Sequence, residues 1–462
     1  MKKGLAILLV VMFIVSLSFT GCGTSKDTVN TEGQAAVQTT AVQESNAAPE
    51  GKEVSIKLWI YPMIQGVNGD GNGEFDDWAK DRAKQFTNKN PKAKFEFEVL
   101  NWQNSLEKVD VAVAAGSPPD LLYTVNNFGG VSKYGKMEAL EPIDDYLTQD
   151  DWNDYSTAIQ AAMKYGDKSY LWPWLKLVSA IAVNMDIVKE RKAESLIPLN
   201  NELRDWTYDE FLTAARALTF SRSGKNQPDV YGYGVQGKDS MFYNYLFAVA
   251  NGGSILDPTF KQYTFKSEES IDGLNFLFDL VNKYKVVPEG AAGLTWQAVH
   301  DMFIKQQIAM IPYTAEMVDE AKKAPKPFTV EFVAPPHAAG KPITAWNNVG
   351  GFIVFRQDDA YKKDKVMEFG KLLTNAENSK ILNVIGCFPA RNSAGNIYPA
   401  DNTLMEYLGK LSNYGNSGFS RAFGLIAVPD WEIEMQAFLL KEKTAEQILD
   451  DLGVKANEAL AK

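Results

Sequence analysis

Flat aromatic rings, planar amides and isolated charges recur where the local pattern marks the ends of strands. Trp59 and Tyr61 close the first alternating segment and sit on the opposite phase from Val54, Ile56, Leu58 and Ile60. Asn126 and Asn127 follow the apolar run of AAGSPPDLLYTVNNFGG, with Gly129-Gly130 just behind them. Tyr313 and Glu316 follow a run ending at Pro312, and Arg391 follows Pro389-Ala390. Such groups suit polyhydroxylated ligands. An aromatic face covers the apolar C–H face of a pyranose, while amides and carboxylates pair with adjacent hydroxyls. Each also has a structural use. Trp59 and Tyr61 equally suit packing beneath a helix on a doubly covered sheet. Asn126 and Asn127 are ordinary turn residues, Glu316 suits a helix N-terminus, and Arg391 suits a structural carboxylate.

The elements that must hold these residues alternate between strand and helix. Val54 to Ile60 reads as a strand, followed by a Gly/Asn-rich loop and a helix presenting Phe75, Trp78, Ala79 and Phe86. Phe95, Phe97 and Val99 give a second strand, which makes a βαβ unit and a parallel sheet. The next helix ends at Gly116, Pro118-Pro119 forbid its continuation, and Leu121 to Tyr123 reads as a third strand. Strands are further expected at Ser179–Asn184, Tyr231–Val235, Ile308–Pro312, Thr329–Pro335 and Gly350–Phe355. Capping boxes at Thr207–Glu210 and Thr444–Gln447, and a cap at Ser267, open helices. Polar loops at the carboxyl edge of such a sheet are where ligands sit. The class is α/β with two lobes.

With 462 residues the chain can bury two cores. A net charge of −11 with no basic cluster excludes a nucleic-acid surface. Lys2-Lys3 followed by an apolar stretch from Leu5 to Phe19 reads as a signal peptide over residues 1–22. It ends in Phe19-Thr20-Gly21-Cys22, which resembles the lipobox of bacterial lipoproteins, with Cys22 acylated. Residues 23–52, rich in Thr, Ala, Gln and Ser, read as a flexible tether. Once Cys22 is acylated, Cys387 has no disulfide partner, and two histidines, His300 and His337, argue against a His-rich metal site. No cofactor or metal is expected, and neither GxSxG, HExxH nor a Walker run is present.

Several segments together resemble family 1 extracellular solute-binding proteins, the maltose-binding-protein group. The carriers are KLWIY, AAGSPPDLL with NNFGG, KSYLWPW followed by SAIAVNMD, TYDEFLTAARALT, WQAVHDMFIKQQIAMIPY, VGGFIVF and GCFPARNS, spread over residues 54 to about 460. The resemblance implies a two-lobed periplasmic-binding-protein-like fold (class II) with three hinge crossings and a ligand cleft between the lobes. Transferred to this chain, the crossings fall at Leu175–Ser179, Asn347–Gly351 and Leu373–Asn378. Lobe one is then 53–176 with 349–373, and lobe two 177–348 with 374–462. The resemblance adds Trp174, Trp346, Asn347 and Trp431 to the cleft, whereas Trp78, Trp152 and Trp206 sit in helix or helix-start contexts that suit core or surface. It implies a monomeric lipoprotein that hands a carbohydrate to the membrane permease subunits of an ABC importer.

The chain departs from the maltose-binding pattern where Thr124 replaces a stacking tryptophan, Leu177 an acidic residue, and Glu316 a cleft tryptophan. These changes point to an oligosaccharide other than linear maltodextrin, stacked on Trp59, Trp174, Trp346 and Trp431. A secreted glycoside hydrolase using two distant carboxylates leaves no local signature and stays an alternative. So does the same fold carrying a peptide, a polyamine or an anion, the last making Arg391 central.

Overall fold

In the computed structural model, residues 51–461 are described except 103–104, 126–128, 239–240, 258–260, 416–421, 423–425 and 427. Cys22, Asn126 and Asn127 lie outside the described residues. The first strand, β1 (Val54–Ile60), buries Val54, Ile56, Leu58 and Ile60. It pairs in parallel with β2 (Ala93–Val99) on one side and β3 (Leu121–Val125) on the other. Helix α1 (Asp77–Thr87) joins the first pair and α2 (Ser105–Ala114) leads to the third strand. Phe75, expected on the face of α1, lies ahead of its first turn and is exposed.

Gly116, at φ 69°, ends the polypeptide turn after α2 in the left-handed region that favours glycine. Asp120 then ties the new strand in place. Its buried carboxylate accepts the Lys57 N–H of β1 at 2.8 Å and pairs with Lys362 at 2.7 Å. The Pro-Pro-Asp turn is therefore architectural.

The chain next forms a short hairpin, β4 (Lys164–Tyr165) and β5 (Lys168–Ser169), and then the long β6 (Leu171–Asn184). Later strands are β7 (Met310–Tyr313), β8 (Val330–Val333), β9 (Trp346–Val354) and β10 (Phe388–Pro389). The main sheet runs β10-β6-β9-β3-β1-β2, with β7 and β8 also paired to β6. The first nine residues of β6 face β9, whereas Ala180 to Asn184 pair with β7 and β8. Packing changes over the same stretch. Leu175 belongs to a core built from residues 54–175 and 349–390, while Val178 and Ile181 belong to cores drawn from 178–346 and 405–456. On β9 the change falls between Trp346 and Val349. After β9, Leu373, Leu382, Cys387 and Ala390 still pack in the first core, Phe388 alone among them reaches the other side, and from Met405 onward the buried residues belong to that side. That passage lies beyond the expected 373–378, because the turn-rich segment Asn378–Ile385 docks its Leu382 under the first sheet.

The capping boxes form as expected. Thr207 accepts from Glu210 N while the Glu210 carboxylate accepts from Thr207 N at 2.7 Å. Gln447 accepts from Thr444 N at 2.8 Å, and Ser267 caps the helix Glu268–Asn282. Tyr231–Val235 is not a strand. It makes one bridge, Tyr231 to Ile308, because Tyr233 N turns away to Val286 O.

Candidate functional site

Three neighbouring parallel strands, β2, β1 and β3, end along one edge of the sheet, and an aromatic row grows there. Tyr61 follows β1 directly, and its phenol oxygen accepts a 2.7 Å hydrogen bond from the hydroxyl of Ser105, the first residue of α2. Trp102, just past β2, stacks on Tyr61 with centroids 4.3 Å apart and 23° between planes. On the other side Tyr123 of β3 meets Tyr61 edge-on at 6.2 Å. Trp174 meets Tyr123 edge-on at 5.9 Å and stacks on Trp78 at 4.8 Å. Gly350 makes room for this row, since a Cβ there would fall 2.7 Å from the Tyr123 hydroxyl. Among the described residues, neither Tyr123 Oη nor Trp174 Nε1 has a hydrogen-bond partner, although both are buried. A buried donor left without an acceptor is costly.

The opposing wall comes from the other cores. Trp346 opens β9 across from Ser179 of β6 and receives Tyr243 edge-on at 5.5 Å. Asn347 is buried, and its amide donates to the Ser412 carbonyl. Tyr313 ends β7 and donates to Glu320 at 3.2 Å, with Trp296 stacked 5.9 Å away. Glu316, immediately before the helix Met317–Lys323, stands between the walls. Tyr123 of the first core and Tyr243 of the second, together with Tyr313 and Cys387, all feel its charge. Water reaches Glu316, yet the surrounding protein strips much of its hydration, as for a carboxylate in a crevice. That desolvation, reinforced by Glu320, pushes its carboxyl up to about 7. The floor between the walls is β6 and β9, where half-exposed Leu177 opposes buried Asn348.

Tyr61, Trp174, Tyr313, Glu316, Trp346 and Asn347 lie near the passage of β6 and β9, but only Glu316 of the six is exposed and the other five are buried. The rest are placed otherwise. Trp59 is half-buried beside α2, with the Lys108 ammonium 5.1 Å from its ring, so it follows the packing alternative. Arg391 is 7% exposed and already committed, with Nε to Thr374 O at 3.0 Å and its two terminal nitrogens 3.2 Å from Asp151 and Asp154. Burial alone would raise the Asp151 carboxyl, but Lys371 and Thr148 hold it down to about 2. The guanidinium is thus a structural clamp rather than an open ligand donor. Trp431 is fully buried against Tyr245 and Phe265, a core ring rather than a cleft ring. Trp78 and Trp206 are buried in cores, as expected.

Sequence reasoning missed Trp102, Tyr123 and Tyr243. Trp102 carried the signal that selected Tyr61, an aromatic just beyond a strand's carboxyl end. Tyr123 sat inside an apolar run and looked like core, and Tyr243 had no local signal. Among the described residues no His, Cys, Asp and Glu group suits a metal, and no helix is long and apolar enough to cross a membrane. Two surface depressions, one beside Arg222 and Lys326 and one beside Tyr284 and Glu289, lie apart from this site.

A family model described as bacterial extracellular solute-binding protein matches residues 81–405. A maltotriose-binding protein of Pyrococcus abyssi is 22% identical over 264 residues, 57% of this chain and 52% of that protein. A diacetylchitobiose-binding protein of Streptomyces coelicolor is 28% identical over 138 residues, 30% of this chain and 31% of that protein. The matches thus span about half and a third of the lengths of these curated relatives. Among solved structures, an ABC substrate-binding protein of Listeria monocytogenes in complex with cycloalternan superposes with a TM-score of 0.68 at 21% identity, covering 89% of this chain and 100% of that one. A maltose/maltodextrin-binding domain of Bdellovibrio bacteriovorus bound to maltotriose gives 0.68 at 16% identity, covering 88% and 100%. These likenesses show the fold, mixed α/β and two-lobed.

Proposed function

The chain belongs to the bacterial extracellular solute-binding protein family, and from that premise we propose that it captures an oligosaccharide without chemical turnover and delivers it to the permease of an ABC importer. The family places it outside the cytoplasm. The observation that carries the saccharide reading is the exposed Glu316 carboxyl, whose charge reaches Tyr123 of one core and Tyr243 of another, together with the aromatic row Trp102, Tyr61 and Tyr123. Trp102 is the exposed ring of that row, with Tyr61 and Tyr123 buried behind it, and the carboxyl supplies directional hydrogen bonding. With its proton shared near neutral pH, Glu316 either accepts from or donates to a sugar hydroxyl. The relatives named for maltotriose and diacetylchitobiose support the same class of cargo.

Lobe one (53–176 with 349–373) and lobe two (177–348 with 374–462) close on the ligand about β6 and β9 in this reading, with Leu382, Cys387 and Ala390 packing on lobe one rather than lobe two and the third passage falling between Phe388 and Met405. Asn126 and Asn127, following β3, serve as hydrogen-bonding partners. Residues 1–22 direct export, acylated Cys22 anchors the protein, residues 23–52 are the tether, and the working form is a monomer. Commitment of Arg391 to Asp151 and Asp154 weakens the anionic-cargo alternative.

A thermal-shift screen of mono- and oligosaccharides on the full chain tests the reading. A ligand at 100 times its Kd stabilises by about 2.7 kcal/mol. A transition shifted by amino acids or peptides and by no saccharide overturns it. Release of shorter sugars from a bound oligosaccharide overturns the non-catalytic part.

A further inference from the structure

The chain holds two histidines, and the site described above uses neither. His300, on the helix Trp296–Ile304, points its Nε2 at Glu320 of the helix Met317–Lys323, 2.5 Å away. The other oxygen of that carboxylate accepts from Tyr313 of β7 at 3.2 Å. Trp296 stacks on the imidazole at 5.0 Å and on the Tyr313 ring at 5.9 Å, which holds the imidazole in plane. His300 Nδ1 is buried with no hydrogen-bond partner among the described residues, and the Asp301 carboxylate stands 3.7 Å from it. A neutral ring that donates to Glu320 therefore turns a bare nitrogen toward an anion. A second proton, on Nδ1, removes that conflict.

Glu320 in turn lies one helical turn beyond Glu316, with the Glu320 N–H donating to the Glu316 carbonyl at 3.2 Å. Side chains at this spacing are neighbours, about 5–6 Å apart at Cβ. Glu320 thus has the imidazole on one side and the Glu316 carboxyl on the other. Its charge, helped by Asp301 and opposed by burial, holds the imidazole above its ordinary 6.5. Desolvation first, and then the same Glu320 charge, pushes Glu316 up to about 7. The other titratable groups facing this line are Tyr313, Tyr123 of β3, Tyr243 and Cys387, all raised by burial, and Lys305 beside Asp301.

We propose that His300 is a positioning residue that acts through Glu320 on Glu316, so that this wall of the site changes charge with external pH. In acid the imidazolium cancels the Glu320 carboxylate, and a neutral Glu316 donates to ligand oxygens. In base two carboxylates stand beside a neutral ring, and the wall accepts from hydroxyls and attracts cationic groups. Each step feels the other. An ionised Glu316 tightens the hold on the His300 proton, and a neutral His300 leaves Glu320 uncompensated and opposes ionisation of Glu316. The consequence for cargo rests on the carbohydrate reading above, whereas the coupling needs no ligand.

Carbon-13 NMR of the histidine rings against pH, on the full-length protein in mild detergent without ligand, tests this. With only His300 and His337 in the chain, His337→Gln assigns both signals. His300 should titrate with a midpoint above 6.5. Glu320→Gln, which keeps the shape and removes the charge, should lower that midpoint by about 1 pH, a tenfold loss of proton affinity. Glu316→Gln, which touches none of the ring's own partners, should lower it by about 0.3 pH, a twofold loss. His337, which faces Asp205 at 3.6 Å, should stay in place in both variants. A His300 midpoint at or below 6.5 overturns the proposal, as does one that either variant leaves within about 0.1 pH of wild type. A shift common to both histidines reports a general change and overturns it too. Any of these results leaves the carbohydrate reading standing, and a failed saccharide screen leaves the coupling standing.

Discussion

Glu316 shows how one side chain can report the state of a whole site. Although the side chain is exposed to water, desolvation by the surrounding protein pushes its carboxyl up to about 7, with Glu320 adding repulsion. The unfolded reference value is 4.5. The folded state therefore holds the proton more tightly. The stability linked to that proton is fully present below the unfolded value and is lost as pH rises through about 7. The groups facing Glu316 are Tyr123 of β3, Tyr313 of β7, Tyr243, Cys387 and Glu320. Burial holds the four phenol and thiol groups above their usual ranges, so they stay neutral across this window. Glu316→Gln removes the titration while keeping the shape. Its melting temperature should equal or fall below the wild type at pH 5 and exceed it at pH 8. A difference that does not change with pH would place the origin elsewhere.

At the scale of elements, the passage of β6 and β9 is held by packing and by a clamp that crosses the chain. Gly351 allows the strands to meet, since a Cβ there would fall 2.1 Å from Trp172 O. Arg391 then ties Asp151 and Asp154 to the Thr374 carbonyl, with Tyr155 under its guanidinium at 4.8 Å. It lies just past β10 and fastens that strand's exit to the first sheet's flank. Arg391→Ala removes one charged partner from each of two partly buried carboxylates, which keep Lys371 and Ser393 respectively, and should cost about 2 kcal/mol in chemical denaturation. Ligand affinity of the folded variant should stay within about twofold of wild type. A large affinity loss with unchanged stability would return Arg391 to the binding set.

For the molecule as a whole, β6, β9 and the segment from Phe388 to Met405 are the places among the described residues where the chain changes from one core to the other. Few, narrow passages favour hinge motion over shear. Addition of a saccharide that shifts the thermal transition should lower the radius of gyration measured by solution X-ray scattering. An unchanged scattering curve at saturation would argue for a cleft already closed.

The sequence by itself determined the class, the element order and most element ends. Apolar alternation in β1, Gly116 and the prolines behind it, and the caps at Thr207, Ser267 and Thr444 act over a few residues, and nothing distant overrides them. It also indicated the site's edge, because ligand loops follow strand ends in α/β sheets. Which ring faces which way was decided only in three dimensions. Trp59 and Tyr61 share a phase in the sequence, yet one packs beside α2 and the other stacks under Trp102. Whether Arg391 held a ligand or a structural carboxylate was open in the sequence until Asp151 and Asp154, more than two hundred residues earlier, met it. Trp431 looked like a cleft residue until Tyr245 and Phe265 enclosed it. Local propensity fixes where a strand or helix lies. The exposure and charge state of a side chain depend on partners brought from elsewhere in the chain, and those only the tertiary structure supplies.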